Sequence, residues 1–148
     1  MDHQRPEYPK ARRSGVLVDH VRDETIVYDE SRQEAHALNR AASVVWEHSD
    51  GTRSVGQLAS VLGAELGTEP NESVVEYALD ELSRVHLLDT EAAVDAPDVS
   101  RRDALRKLTV AGVSVIAIPV VLSIVAPTPA MAASGTQNSQ GQNNNNQG

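Results

Sequence analysis

Cysteine is absent from the 148 residues. That removes disulfides, thiolate-held zinc, iron–sulfur clusters and thiol nucleophiles from what the chain can do. Phenylalanine is absent too, and the aromatics amount to one Trp and three Tyr. A core must therefore be built from Val, Leu, Ile and Ala. Positive charge is scarce where a nucleic-acid binder needs it: residues 1–99 carry nine Lys/Arg against twenty Asp/Glu, net −11. Such a surface repels phosphate instead of neutralising it, which argues against DNA or RNA as a partner. The five histidines, His3, His20, His36, His48 and His86, have no i,i+4 spacing and adjoin no Cys. No Gly-rich phosphate loop, Ser-His-Asp set or paired-carboxylate constellation stands out. Neither a metal site, nor a cofactor, nor catalytic residues are expected.

What is present falls into regimes. Residues 1–14 are polar, with two prolines and Arg12-Arg13, and read as a flexible arm; no apolar run follows these charges, so they do not read as a signal peptide. Residues 15–89 read as one domain. Val16–Val21 and Thr25–Asp29 are β-branched runs across a short polar break, which predicts a hairpin. Glu34–Leu38 is a weaker third strand, since Ala and Glu are poor strand formers. Asn39 suits a helix N-cap, and Ala42, Val45, Trp46 and Ser49 recur on one helical face before Asp50-Gly51 ends it. Ser54 and Gln57 form a capping box for a helix striped by Val55, Leu58, Ala59, Leu62 and Leu66. Ser73 and Glu76 fit a second box, ahead of Val75, Ala78, Leu79, Leu82 and Val85. The order is three strands, then three helices: an α+β domain.

Residues 90–99 are acidic, small and Pro-containing, a linker. Residues 100–107 carry four basic side chains and one acid, and residues 108–148 carry no charge at all. Residues 108–126 are a mostly apolar run whose helical length, about 28 Å, approaches the bilayer's hydrocarbon thickness. With Arg101, Arg102, Arg106 and Lys107 just before it, the run predicts a transmembrane helix that leaves the N-terminal domain on the cytoplasmic side of the membrane, single-pass. Residues 127–148 end in a low-complexity Asn/Gln/Gly tail that has nothing to bury and is expected to be disordered.

Leu38-Asn39, Ala42, Val45-Trp46 and Asp50-Gly51-Thr52, with Gly15-Val16 and Val27-Tyr28 upstream and Val55, Leu58 and Leu82 to Leu88 downstream, resemble the PqqD family over roughly residues 9–89. The resemblance implies a winged helix-turn-helix: a three-stranded antiparallel sheet followed by three helices. It also implies a non-catalytic RiPP recognition element, a peptide chaperone of natural product biosynthesis. Such a module binds the leader of a ribosomally made precursor peptide by β-strand addition. It then presents that precursor to a modifying enzyme, such as a radical SAM enzyme or a lasso-type peptidase/cyclase. On this sequence the implied peptide-binding residues are Glu34, Ala35, His36, Ala37 and Leu38 of the third strand. They face Val74, Tyr77, Ala78 and Glu81 of the third helix, with Val74 and Tyr77 toward its side or rim. Trp46 reads as core. Asn39 is fully explained by capping and receives no binding role.

A second resemblance competes for the C-terminal third. Ser100-Arg101-Arg102-Asp103-Ala104-Leu105, an apolar run and Ala130-Met131-Ala132 resemble a twin-arginine signal with its cleavage site, although Ala104 replaces the usual Phe. Arg101, Arg102, Ala130 and Ala132 are then either parts of an export signal that releases the tail or flanks of a permanent anchor.

Overall fold

The computed structural model describes residues 7–89, 102–103, 105–108 and 112–125. Three antiparallel strands come first, β1 (Val16–Val21), β2 (Glu24–Asp29) and β3 (Glu34–Leu38). Inward positions alternate along them, so Thr25, Val27 and Asp29 of β2 and His36 and Leu38 of β3 are buried. Three helices follow, α1 (Arg40–His48), α2 (Val55–Leu66) and α3 (Glu72–Arg84). Asn39 caps α1 through Ala42 N, and Ser54 and Gln57 form the reciprocal capping box of α2. The start of α3 differs from expectation. Asn71 is its cap, accepting from Ser73 N, because an Asn side chain two residues earlier competes successfully with Ser73 for that role.

Trp46 sits at the centre, fully buried with its indole N–H donating to Leu87 O at 3.0 Å. Leu38, Val45, Leu58, Val75 and Leu82 surround it in an aliphatic core. Residues 9–13, expected within a loose arm, instead strap this core. Ala11 N donates to Ser49 O, Arg12 N to Leu87 O, and Asp89 N to Lys10 O. The Arg13 guanidinium lies 4.0 Å over the Trp46 ring and donates to Trp46 O and Glu47 O. Asp29 accepts from Ser31 and Arg32 backbone N–H groups and from the Ser31 hydroxyl, and pairs with Arg12 at 2.6 Å. Burial acts to raise its pKa, but the bonds from Ser31, Arg12 and Arg32 outweigh that and hold the carboxyl well below the ordinary range.

The sheet has a fourth strand. β4 (Val121–Val125) pairs antiparallel with β3, giving the order β1-β2-β3-β4 in place of the expected three. This corrects the expectation of a transmembrane helix over 108–126: among the described residues no helix is long and apolar enough to cross a membrane. Gly112 takes a positive φ of 71°, a 3-10 turn covers Val115–Ala117, and Ile118 is extended. Pro119 lacks an N–H and disfavours helix for the residue before it. The Val-Leu-Ser-Ile-Val run beyond is rich in β-branched residues that suit a pleated surface. The linker 90–99, Arg101, Ala130, Ala132 and the tail 127–148 lie outside the described residues; Arg102 is described and exposed.

The α2–α3 loop folds back against α2 at Gly63, where a Cβ would meet Thr68 O at 2.7 Å and Pro70 N at 3.1 Å. At Gly56 an added Cβ would meet only the movable end of Glu72, at 2.9 Å. Gly63→Ala is therefore expected to lower stability by roughly 1–3 kcal/mol through overpacking against backbone. Gly56→Ala is expected to be neutral or to stabilise by up to about 1 kcal/mol through helix propensity. Urea unfolding followed by Trp46 fluorescence separates them; equal effects of the two substitutions would contradict the packing at Gly63.

Candidate functional site

β3 has one edge against β2 and the other toward the C-terminal segment. On that second edge the register runs Glu34↔Val125, Ala35↔Ile124, His36↔Ser123, Ala37↔Leu122 and Leu38↔Val121. Asn39 N donates to Val120 O at 3.0 Å. Since amides alternate sides along a strand, the Ala37 and Ala35 amides face the same edge, and those of His36 and Leu38 face β2. Ala35 and Ala37, whose side chains are the smallest of β3, thus supply the backbone donors.

Side chains hold the same edge. The Asn39 carboxamide donates from Nδ2 to Ile118 O at 2.9 Å, and its Oδ1 accepts from both Val120 N and Ala42 N, each at 3.0 Å. His36 Nδ1 and Ser123 Oγ share a hydrogen bond of 2.9 Å. His36 is fully buried. Burial lowers its pKa below the usual imidazole value, the charges of Glu34 and Asp29 pull the other way, and Arg12 and His86 add to the lowering. Val121, beside Leu38 on the inner face, is buried, whereas Leu122 and Ile124 stand on the outer face over Ala37 and Ala35 and are exposed. Ahead of β4, Ala117 and Pro119 are buried. Gly112, Val113, Ser114 and Ala117 close one side of a cleft of about 350 Å³, with Leu62, Gly63, Pro70, Asn71 and Val74 on the other.

The structure thus places Glu34, Ala35, His36, Ala37 and Leu38 together on a strand-accepting edge. Val74, Tyr77, Ala78 and Glu81 all lie on the buried face of α3. The expectation that Val74 and Tyr77 mark a rim is corrected: the apolar face of α3 is wider than one stripe, and Val74 lies across the cleft from Val113, Ser114 and Ala117. Asn39, denied a binding role on sequence grounds, holds the segment at two residues. The usable signal was its chemistry, since Asn at a cap brings an amide NH2 beside its capping oxygen, which neither Ser nor Asp has. The arrangement can bind an extended backbone. Among the described residues no group of three or more His, Cys, Asp or Glu is placed to hold a metal ion.

A four-stranded antiparallel sheet with an edge that takes up a distant segment, backed by three helices, defines a strand-accepting α+β domain. The family model described as Coenzyme PQQ synthesis protein D (PqqD) matches residues 24–88, so this region is similar to that family. The match takes in β2, β3 and the three helices and leaves out β1 and β4. No curated protein and no solved structure gives a significant match to the chain.

Two predictions follow from the edge geometry. Asn39→Ser keeps an acceptor for Ala42 N but loses the bond to Ile118 O. It is expected to leave α1 intact while the amides of residues 34–39 that face β4 exchange with solvent roughly tenfold faster; unchanged exchange would show that Asn39 does not hold β4. Separately, neutral His36 is the form that fits this edge. The unfolded chain takes up a proton near pH 6.5, above the lowered folded value. Stability is then full above that pH and declines as pH falls below it, towards the folded pKa. Urea midpoints of the native chain and His36→Gln are expected to diverge between pH 7.5 and 5.5; parallel profiles would remove His36 as the titrating group.

Proposed function

We propose that the PqqD-like domain is a leader-recognition module of the winged helix-turn-helix kind. It captures the leader of a ribosomally synthesised precursor peptide as an added strand on β3 and presents it to a modifying enzyme. A radical SAM enzyme or a lasso-type peptidase/cyclase fits that role. Glu34, Ala35, His36, Ala37 and Leu38 form the strand side, and Val74, Tyr77, Ala78 and Glu81 of α3 form the helical wall. The module itself is non-catalytic, contributing proximity. The observation that carries the reading is the edge of β3. It takes an extended strand over five residue pairs, from Glu34↔Val125 to Leu38↔Val121, with Asn39 and His36 adding side-chain bonds. Main-chain pairing supplies affinity in this mode, and the alternate inward side chains supply selectivity.

Fluorescence polarisation with leader peptides from precursor genes encoded beside this one tests the reading, using the native chain and Asn39→Ser in parallel. Saturable binding is expected in both, stronger in the variant. Ala37→Pro, which deletes a donor facing the bound strand, is expected to weaken it roughly tenfold or more with the helical circular dichroism retained. Absence of saturable binding to either folded protein would refute it.

A further inference from the structure

The edge that the leader reading requires is occupied by the chain itself. We infer that residues 113–125 are a built-in competitor for that edge. A peptide in trans enters only by displacing them, and it must present an apolar side chain beside Leu38 and a small hydroxyl-bearing one beside His36. The inference rests on the strand-addition reading above and deepens it by naming the resident occupant and the ligand chemistry.

One edge of β3 accepts one strand. The donors that face it, on Ala35, Ala37 and Asn39, are directed at β4, and the Asn39 carboxamide is engaged by Ile118 and Val120. An incoming strand finds no free donor there until β4 leaves. The attachment is of a kind that exchanges. Val121 is the single β4 residue that is buried; Leu122, Ile124 and Val125 are 61%, 58% and 67% exposed, and Val115 and Ile116 of the preceding turn are 82% and 62% exposed. The hold is therefore main-chain pairing, the Asn39 clamp and shallow anchors at Ala117, Pro119 and Val121. Being in cis gives the segment an effective concentration on the order of millimolar, which a peptide in trans must overcome. The two inward positions set what can compete: Val121 meets Leu38, and Ser123 meets the buried His36 imidazole at 2.9 Å. A bulky apolar side chain at the second position would strip His36 Nδ1 of its partner.

The absence of cysteine makes the test clean. Asn39 and Val120 are a hydrogen-bonded pair, and Glu34↔Val125 lies in the opposite, non-hydrogen-bonded phase of the ladder. Its Cα atoms are then about 4.5 Å apart with the side chains close, a separation a disulfide bridges. The full chain carrying Glu34→Cys and Val125→Cys is expected to oxidise to an intramolecular crosslink. The pair Glu34→Cys and Ile124→Cys, on opposite faces, is expected not to. The probe is a fluorescein-labelled synthetic peptide of residues 113–126 with a lysine tag for solubility. It is expected to bind the reduced double variant, to bind the oxidised one roughly tenfold or more weakly, and to recover on reduction. The same peptide with Ser123→Leu is expected to bind the reduced protein roughly tenfold more weakly.

Failure of the in-register pair to crosslink would overturn the inference. So would equal binding to the oxidised and reduced states, which places the peptide on another edge such as β1, or no binding to the reduced state while the crosslink forms. Loss of selectivity for serine would overturn the stated ligand chemistry. Should the crosslink exclude the self-peptide while neighbouring leader peptides bind neither state, the competition stands and the leader-recognition reading falls.

Discussion

The side-chain amide of Asn39 joins three parts of the chain. Its Oδ1 receives the first-turn amide of Ala42 in α1 and the amide of Val120, and its Nδ2 donates to Ile118 O, across as many as 81 residues of sequence. A helix start leaves amides that need acceptors, and a sheet edge leaves donors that need partners. Here one residue at the junction of β3 and α1 answers both. The direction of the outer edge of β3 is thereby tied to the direction of α1, and α1 is fixed by Trp46 at the centre of the core. Removing either the strand or the helix would leave Asn39 half satisfied, which is why the geometry of the edge is set by the core and not by the segment lying on it.

That edge stays in place because its other side is pinned independently. Asp29 gathers the β2–β3 turn through Ser31 and Arg32 and ties it to the N-terminal strap through Arg12. The strap in turn closes over Trp46 through Arg13 and bonds to Ser49, Leu87 and Asp89. None of these contacts involves β4. β3 is therefore held by β2, by the Asp29 hub and by its own buried His36 and Leu38, so an exchange of strands at the outer edge need not disturb the core. The exposed outer face of β4 fits that division: the segment contributes pairing and little burial, and local opening free energies are lowest where few apolar contacts are made.

The domain was legible in the sequence wherever a residue type had one job. β-branched runs marked β1 and β2, Ser54 with Gln57 marked α2, and Trp46 marked the core. The third strand was legible only through context, because its alanines carry no propensity signal; they are small so that a neighbouring backbone can approach. Legibility failed where one residue did two jobs. Asn39 was accounted for by its cap, which concealed the clamp, and Val74 and Tyr77 were assigned to a rim because a narrow stripe already explained α3. The arm around Ala11 and Arg13 carried no periodicity, since a strap is held by individual bonds and not by a repeating face.

The apolar run after Lys107 shows why hydropathy alone does not choose between two structures. A backbone removed from water must pair its N–H and C=O groups somewhere. A membrane helix pairs them internally and needs only length, which 108–126 supplies. A strand pairs them externally and needs a partner edge, which is invisible to any window drawn over the run itself. In this chain the partner is β3, far upstream, with the Ala35 and Ala37 amides facing outward and Asn39 beside them. Pro119 and the β-branched residues after it tilt the local preference towards extension, and Ser123, poorly placed for a lipid-facing helix, finds a hydrogen bond at His36. The same run that reads as an anchor when taken alone is a ligand when taken with the edge that receives it.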